Sequence, residues 1–170
     1  MEAHAATAAA LQADDRIHLA VLFGSSARGT SSSQSDLDIG VLGLAAGDIP
    51  RVAVQLARVA GREVDLIDLA SAPPLLRLEI ARDGLLLFAR PTYLWSEFRG
   101  QALIDWWDAL ADRRAITREL ADRLREGVGL RNRIAHGYAL LNYKRVRAEA
   151  LAGIPSLRAF LAAVGREAGV

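Results

Sequence analysis

The 170-residue chain has no cysteine. That excludes disulfides, thiolate chemistry and cysteine-based zinc sites. Charge of one sign is not in excess either: 21 Lys and Arg meet 20 Asp and Glu, for a formal net charge of +1. No overall field draws such a chain to nucleic acid or to a membrane. No apolar run approaches the length of a membrane span. The alanine-rich start, MEAHAATAAALQADD, carries Glu2, Asp14 and Asp15 but no basic segment, so it does not read as a signal peptide. These absences predict a soluble, cytoplasmic protein without a membrane partner.

What is present is ample apolar material, 52% of residues. It is divided by turn residues into two patterns. Residues 17–23 (IHLAVLF), 36–42 (DLDIGVL), 62–69 (REVDLIDL) and 85–88 (LLLF) read as strands. Between them lie helical stretches: 4–13, the run from Asp48 and Pro50 to Gly61, and LLRLEIARD closed by Gly84. This is an α/β unit, a small mixed sheet with flanking helices. After Pro91 everything reads as helix, roughly 93–112, 116–136, 142–151 and 155–166, with Gly153-Ile154-Pro155 separating the last two. The division is placed at 1–113 and 114–170. Basic residues concentrate between Arg113 and Arg147. They form either a solvated face with i,i+4 pairs such as Glu119–Arg123 or a surface for phosphate or RNA.

The stretch GSSARGTSSSQSDLDIGV (24–41) concentrates the chemistry. Gly24 permits a tight turn and a close phosphate approach. A short helix beginning at Ser25 would aim free N–H groups at that phosphate. The Ser25 hydroxyl and Arg28 add donors. Asp36 and Asp38, two apart on a strand, share a face, while Leu37, Ile39 and Val41 take the other. Two close carboxylates are costly without a cation between them. Hard oxygen ligands suit Mg²⁺ together with substrate phosphates. Two such ions suit in-line transfer from a nucleoside triphosphate. The third strand offers Asp65 or Asp68 as a further carboxylate. They lie on opposite faces, and periodicity does not choose between them.

Gly24-Ser25, ten residues, Asp36-x-Asp38 and then a strand bearing an aspartate resembles the DNA polymerase beta nucleotidyltransferase superfamily. FGSSARGTSSSQSDLDIGV followed by VDLIDLASAPPLLRLEIARDGLLLF is similar to its minimal members, the MntA-type antitoxins, over residues 15–112. The resemblance implies Asp65 as the third carboxylate, with Asp68 the structural alternative.

A second motif is LRNRIAHGY, residues 130–138. On a helix Asn132 and His136 share a face, and Gly137 ends it. A histidine at a helix C-terminus is ordinarily structural. The functional reading is a ribonuclease pair, His136 for acid–base work and Arg131 for the phosphate. Arg131-Asn132-x3-His136-x-Tyr138 resembles the R-x4-H-x-Y motif of HEPN domains, above all HepT-type toxins. In that pairing the nucleotidyltransferase adds AMP to the motif tyrosine, here Tyr138, and silences the ribonuclease. The toxin-like match occupies only the C-terminal half of such a domain. Helices that would cover its apolar faces are missing, which predicts cover from Trp95, Phe98, Trp106 and Trp107 or from self-association, a homo-oligomer.

Together the resemblances imply transfer of AMP from ATP, with two Mg²⁺ ions at Asp36, Asp38 and Asp65, to a tyrosine of a HEPN-type toxin or to Tyr138. Two other readings stand beside it. One is a HEPN ribonuclease toxin regulated by its own N-terminal half, which the truncation argues against. The other is a non-catalytic toxin-binding or dimerisation module.

Overall fold

A computed structural model describes residues 2–29, 35–136 and 142–168. The chain divides into two compact units, residues 1–99 and 100–170. The sequence division at 113/114 lies downstream, because α5 (Leu94–Asp112) runs through the junction as one helix. Its N-terminal turns belong to the first unit and the remainder to the second.

The first unit is a four-stranded mixed sheet in the order β3-β2-β1-β4. Its strands are β1 (Leu19–Phe23), β2 (Leu37–Leu42), β3 (Val64–Asp68) and β4 (Leu85–Ala89). β1 pairs antiparallel with β2 and β4, and β2 pairs parallel with β3. The parallel pair needs a crossover. The chain supplies one as α3 (Ile49–Ala60). Pro50 opens α3, and Gly61 closes it at φ 68, donating its N–H to Ala57 O. Left-handed backbone of this kind is cheap only for glycine. Leu11 of α1 (Glu2–Gln12) and Val52 and Leu56 of α3 pack on the sheet face formed by Ala20, Leu22, Leu37, Ile39, Val41 and Leu66. Burying each large aliphatic side chain stabilises the fold by roughly 1.5–3 kcal/mol. α4 (Pro74–Asp83) buries Ile80 and Ala81, and Gly84 ends it. A Cβ at Gly84 would come 2.6 Å from Val21 Cγ1, so the absent side chain lets α4 close onto β1.

The second unit contains the rest of α5, then α6 (Arg118–His136) and α7 (Tyr143–Ala168). Thr117 caps α6, its Oγ1 accepting from Leu120 N at 3.1 Å. Asn142 caps α7 in the same way through Arg145 N. The expected break at Gly153-Ile154-Pro155 does not occur: α7 is one helix with Pro155 inside it. The ring costs one backbone hydrogen bond. The capped start and the contacts with α6 hold the remaining turns.

Trp107, Ile116, Ala121, Leu124, Val128 and Ala163 form this unit's core, with Trp106 and Phe160 packed against it. Trp107 meets Phe160 edge-on at 6.4 Å. Of the four aromatic residues expected to cover α6 and α7, Trp106 and Trp107 do so. Trp95 and Phe98 lie in the first unit, stacked on each other at 5.7 Å, with Arg77 over the Phe98 ring.

Much of the basic excess of this region is taken up in ion pairs. Arg125 and Arg118 both reach Asp108, Arg118 also bonds Asp112, Arg123 bonds Glu119 and Arg145 bonds Glu149. The solvated-face reading therefore accounts for these four arginines. By length and composition Tyr143–Arg166 could cross a membrane, contrary to the expectation from the sequence. One such helix is weak evidence.

Candidate active site

Register builds the site. β1 ends at Phe23, which pairs with Asp38 of β2. The next residue, Gly24, therefore lies directly against the Asp38 side chain. A Cβ on Gly24 would sit 2.0 Å from Asp38 Oδ2, and the glycine has φ 66. No other residue satisfies both demands without strain. The absent side chain at Gly24 thus makes room for the Asp38 carboxylate. Gly24 also begins α2 (Gly24–Ala27), one helical turn containing Ser25. Arg28 closes that turn, its N–H donating to Gly24 O at 3.4 Å.

The parallel pairing of β2 with β3 sets Asp38 beside Asp65 in exact neighbouring register. Leu37, Ile39 and Leu66 point into the core. Alternation then puts Asp38 and Asp65 together on the opposite face. Asp68 aligns with Val41, farther along the sheet. There it serves the turn after β3: its Oδ1 accepts from Ala70 N at 2.9 Å, and its carbonyl accepts from Ser71 Oγ. Asp36 is exposed at the mouth of β2.

Three contacts that sequence reasoning missed hold this mouth in place. Buried Ser26 donates its hydroxyl to Asp36 O at 3.5 Å. Arg62 Nη1 donates to Ser35 O at 3.1 Å. Leu37 N donates to Glu63 O at 3.0 Å. Only the second serine of the Gly-Ser-Ser run was a visible signal for any of them.

The electrostatics follow from the crowding. Asp38 is pushed above the usual carboxylate range, first by burial, then by the negative charges of Asp65 and Asp36, while Arg28 pulls it back. Among the described residues no group of three acidic or histidine side chains is already arranged to hold a metal. The donor set nevertheless fits one. Asp38 and Asp65 are hard oxygen ligands on one face, they repel each other, and Arg28 only partly compensates them.

The second motif is placed in part. Arg131, Asn132 and His136 fall on the last turns of α6. Their side chains, and Tyr138 altogether, lie outside the described residues.

A carboxylate pair thus stands beside a glycine-led helical turn on a small mixed sheet. Residues 7–93 match the family described as polymerase beta, nucleotidyltransferase. That match covers more than half of the chain, and the chain belongs to this family. Residues 97–164 match the family described as ribonuclease HepT-like. Solved structures point the same way. A toxin–antitoxin with AMP-PNP shares 28% identity at a TM-score of 0.58, covering 68% of this chain and 96% of that one. A tri-AMPylated Shewanella oneidensis HEPN toxin in complex with MNT antitoxin shares 25% identity at a TM-score of 0.54, covering 69% and 95%. A toxin–antitoxin MntA–HepT shares 25% identity at 0.54, covering 69% and 96%. No curated protein matches. The chain thus carries a nucleotidyltransferase domain followed by a HepT-like domain, and it is similar to members of toxin–antitoxin structures.

Proposed function

We propose that the protein is a Mg²⁺-dependent protein adenylyltransferase. It moves AMP from ATP to a tyrosine hydroxyl of a HEPN-type toxin and so acts as the antitoxin of the pair. The observation that carries this reading is the register of Asp38 and Asp65 beside Gly24. The AMP groups on the HEPN toxin of the Shewanella complex support the choice of acceptor.

Asp36, Asp38 and Asp65 would hold two Mg²⁺ ions, which supply Lewis acidity at the phosphates. The protein's own groups do the rest. The Ser25 hydroxyl and the amides of α2 take phosphate oxygens, since the first N–H groups of a helix have no acceptor within it. Arg28 adds a charge-assisted hydrogen bond. Asp65 is exposed, whereas Asp38 is half-buried, so Asp65 is the group open to an incoming hydroxyl. It accepts the tyrosine proton as the tyrosine oxygen attacks the α-phosphorus. The bond from that phosphorus to the β-phosphate bridging oxygen breaks, and pyrophosphate leaves. The acceptor is a separate toxin or Tyr138 of a HepT-like segment such as this chain's own.

Intact-mass spectrometry tests the reading. The purified protein is incubated with ATP and Mg²⁺, alone and with a full-length HEPN toxin, beside Asp38→Ala and Tyr138→Phe. Whole AMP increments on the toxin, absent with Asp38→Ala, are the expected result. Increments on this chain that vanish in Tyr138→Phe assign the acceptor in cis. No increment on either protein would sink the proposal.

A further inference from the structure

β1 is a central strand, with β2 on one side and β4 on the other. Each neighbour brings a carboxylate to the same end of it. On the β2 side Phe23 pairs with Asp38. On the β4 side Leu22 pairs with Leu85, so the turn that joins α4 to β4 lies at this end too, with Asp83 and Gly84 in it. Gly84 is pressed onto the strand, since a Cβ there would come 2.6 Å from Val21 Cγ1. β1 runs straight into α2, and Arg28 closes that single helical turn. Arg28 is thus flanked by Asp38 from β2 and by Asp83 from the end of α4.

The Arg28 charge acts on both carboxylates. Asp38 is raised first by burial, then by Asp65 and Asp36, and Arg28 works against them. Asp83 is held low first by its hydrogen bond from Arg82, with burial opposing, and then by the charges of Arg82 and Arg28. Arg82 also fixes the Asp83 carboxylate at both oxygens, Nε donating to Oδ1 at 2.9 Å and Nη2 to Oδ2 at 2.6 Å.

Stability does not account for a carboxylate at this position. The Arg82 side chain is 67% exposed, and an exposed ion pair contributes little. Asp83 stands in the last turn of α4, where a negative charge opposes the helix dipole. What Asp83 does face is Arg28. A guanidinium drawn onto Asp38 would neutralise an oxygen ligand that a divalent ion needs. Drawn toward Asp83, it leaves Asp38 open, and its five donors are enough for a carboxylate and a phosphate together.

We propose that Asp83 is a positioning residue of the transfer site: it draws Arg28 away from Asp38, so that Asp38 and Asp65 stay open to a divalent cation while Arg28 keeps donors for the triphosphate. This role rests on the transfer reading, yet it is set before any nucleotide binds and can be measured without transfer.

Mn²⁺ alone is the probe, titrated into the full chain and read as loss of the free ion's electron paramagnetic resonance signal. Asp83→Asn is expected to weaken Mn²⁺ binding about fivefold, because Arg28 is then left with Asp38 as the carboxylate beside it. Asp83→Glu keeps the charge and should bind as the wild type does. In an Arg28→Gln background Asp83→Asn should change nothing further, since the effect runs through Arg28. In the transfer assay the loss caused by Asp83→Asn should be recovered by raising Mg²⁺, a change in KM for the ion and not in kcat. Equal Mn²⁺ affinity in the wild type and Asp83→Asn would overturn the proposal and leave the transfer reading standing. So would the same fivefold loss in the Arg28→Gln background, which would mark a general field of the carboxylate. A wild type that takes up no Mn²⁺ would overturn the metal site and this role together.

Discussion

In the first unit Leu19, Ala20, Val21, Ile39 and Val41 are completely shielded, and helices cover the sheet. In the second, Ser156 and Ala163 are the only buried residues of α7 among those described. One unit has finished its core within 99 residues. The other has a core around Trp107 and, among the described residues, leaves aliphatic side chains of α7 exposed. The difference separates two uses of the same kind of material. A closed core can hold crowded carboxylates in place at an energetic cost. An open one leaves aliphatic side chains exposed.

The largest expected effect lies in the first unit and leaves its fold intact. Asp38→Ala should reduce AMP transfer on the order of 10³-fold, the scale at which a group aimed at the reacting charge acts. The thermal transition should not fall. A large loss of stability with Asp38→Ala would mean that the carboxylate holds the fold, and the contrast between the units would fail.

Trp107→Ala should do the opposite in the second unit. Truncating a buried aromatic side chain costs about 3–5 kcal/mol. Amide exchange should then open α6 and α7 while the strands of the first unit keep their protection. Leu161→Ser, on the bare face, should change the stability of the monomer by no more than about 0.5 kcal/mol. Exchange that rises equally in both units after Trp107→Ala would show that the units do not fold independently.

Gly24→Ala comes next. The methyl group collides with the Asp38 carboxylate, and φ 66 is unfavourable for alanine. Roughly 1–3 kcal/mol of strain is expected, with transfer falling further than Ser25→Ala alone. Wild-type rates in Gly24→Ala would remove Gly24 from the site.

The smallest effect has a sign set by Asp38. Its pKa in the folded protein is raised, chiefly by burial and then by Asp65 and Asp36. The folded state therefore binds this proton more readily than the unfolded chain. The ionised group costs stability above its folded pKa, and the cost disappears below its unfolded value. Asp38→Asn should melt higher than the wild type near pH 7, with the gap closing as pH falls through the acid range. Asp14, held low chiefly by its hydrogen bond to Arg16, and Asp48, held low chiefly by Arg51, behave oppositely. Their contribution is present above the ordinary carboxylate pKa and is lost on acidification. An Asp38→Asn variant that melts lower near pH 7 would show that the carboxylate is compensated in the folded chain.

Much of this was legible in the residues. The four strands, the helix from Pro50 to Gly61 and the one ended by Gly84 are written in apolar runs and their punctuation, because those signals act within a few residues of themselves. The spacing of Asp36 and Asp38 is likewise a local feature of the sequence. Asp65 against Asp68 was not local. Both stand on one strand, and only the parallel register with β2 sets Asp65 beside Asp38 and sends Asp68 to the turn. Pro155 misled for the converse reason. It is a strong local breaker, but the helix around it is held by contacts made elsewhere.

The sequence by itself determined which residues can turn, which can enter a core and which carboxylates share a face, since these follow from side-chain chemistry and backbone period. Only the tertiary structure decided that Gly24 makes room for Asp38, that Arg62 and Ser26 hold the mouth of the site, and that α7 stays bare. Those are distances between residues far apart in the chain. They exist only once strands pair and helices either find a surface to cover or fail to find one.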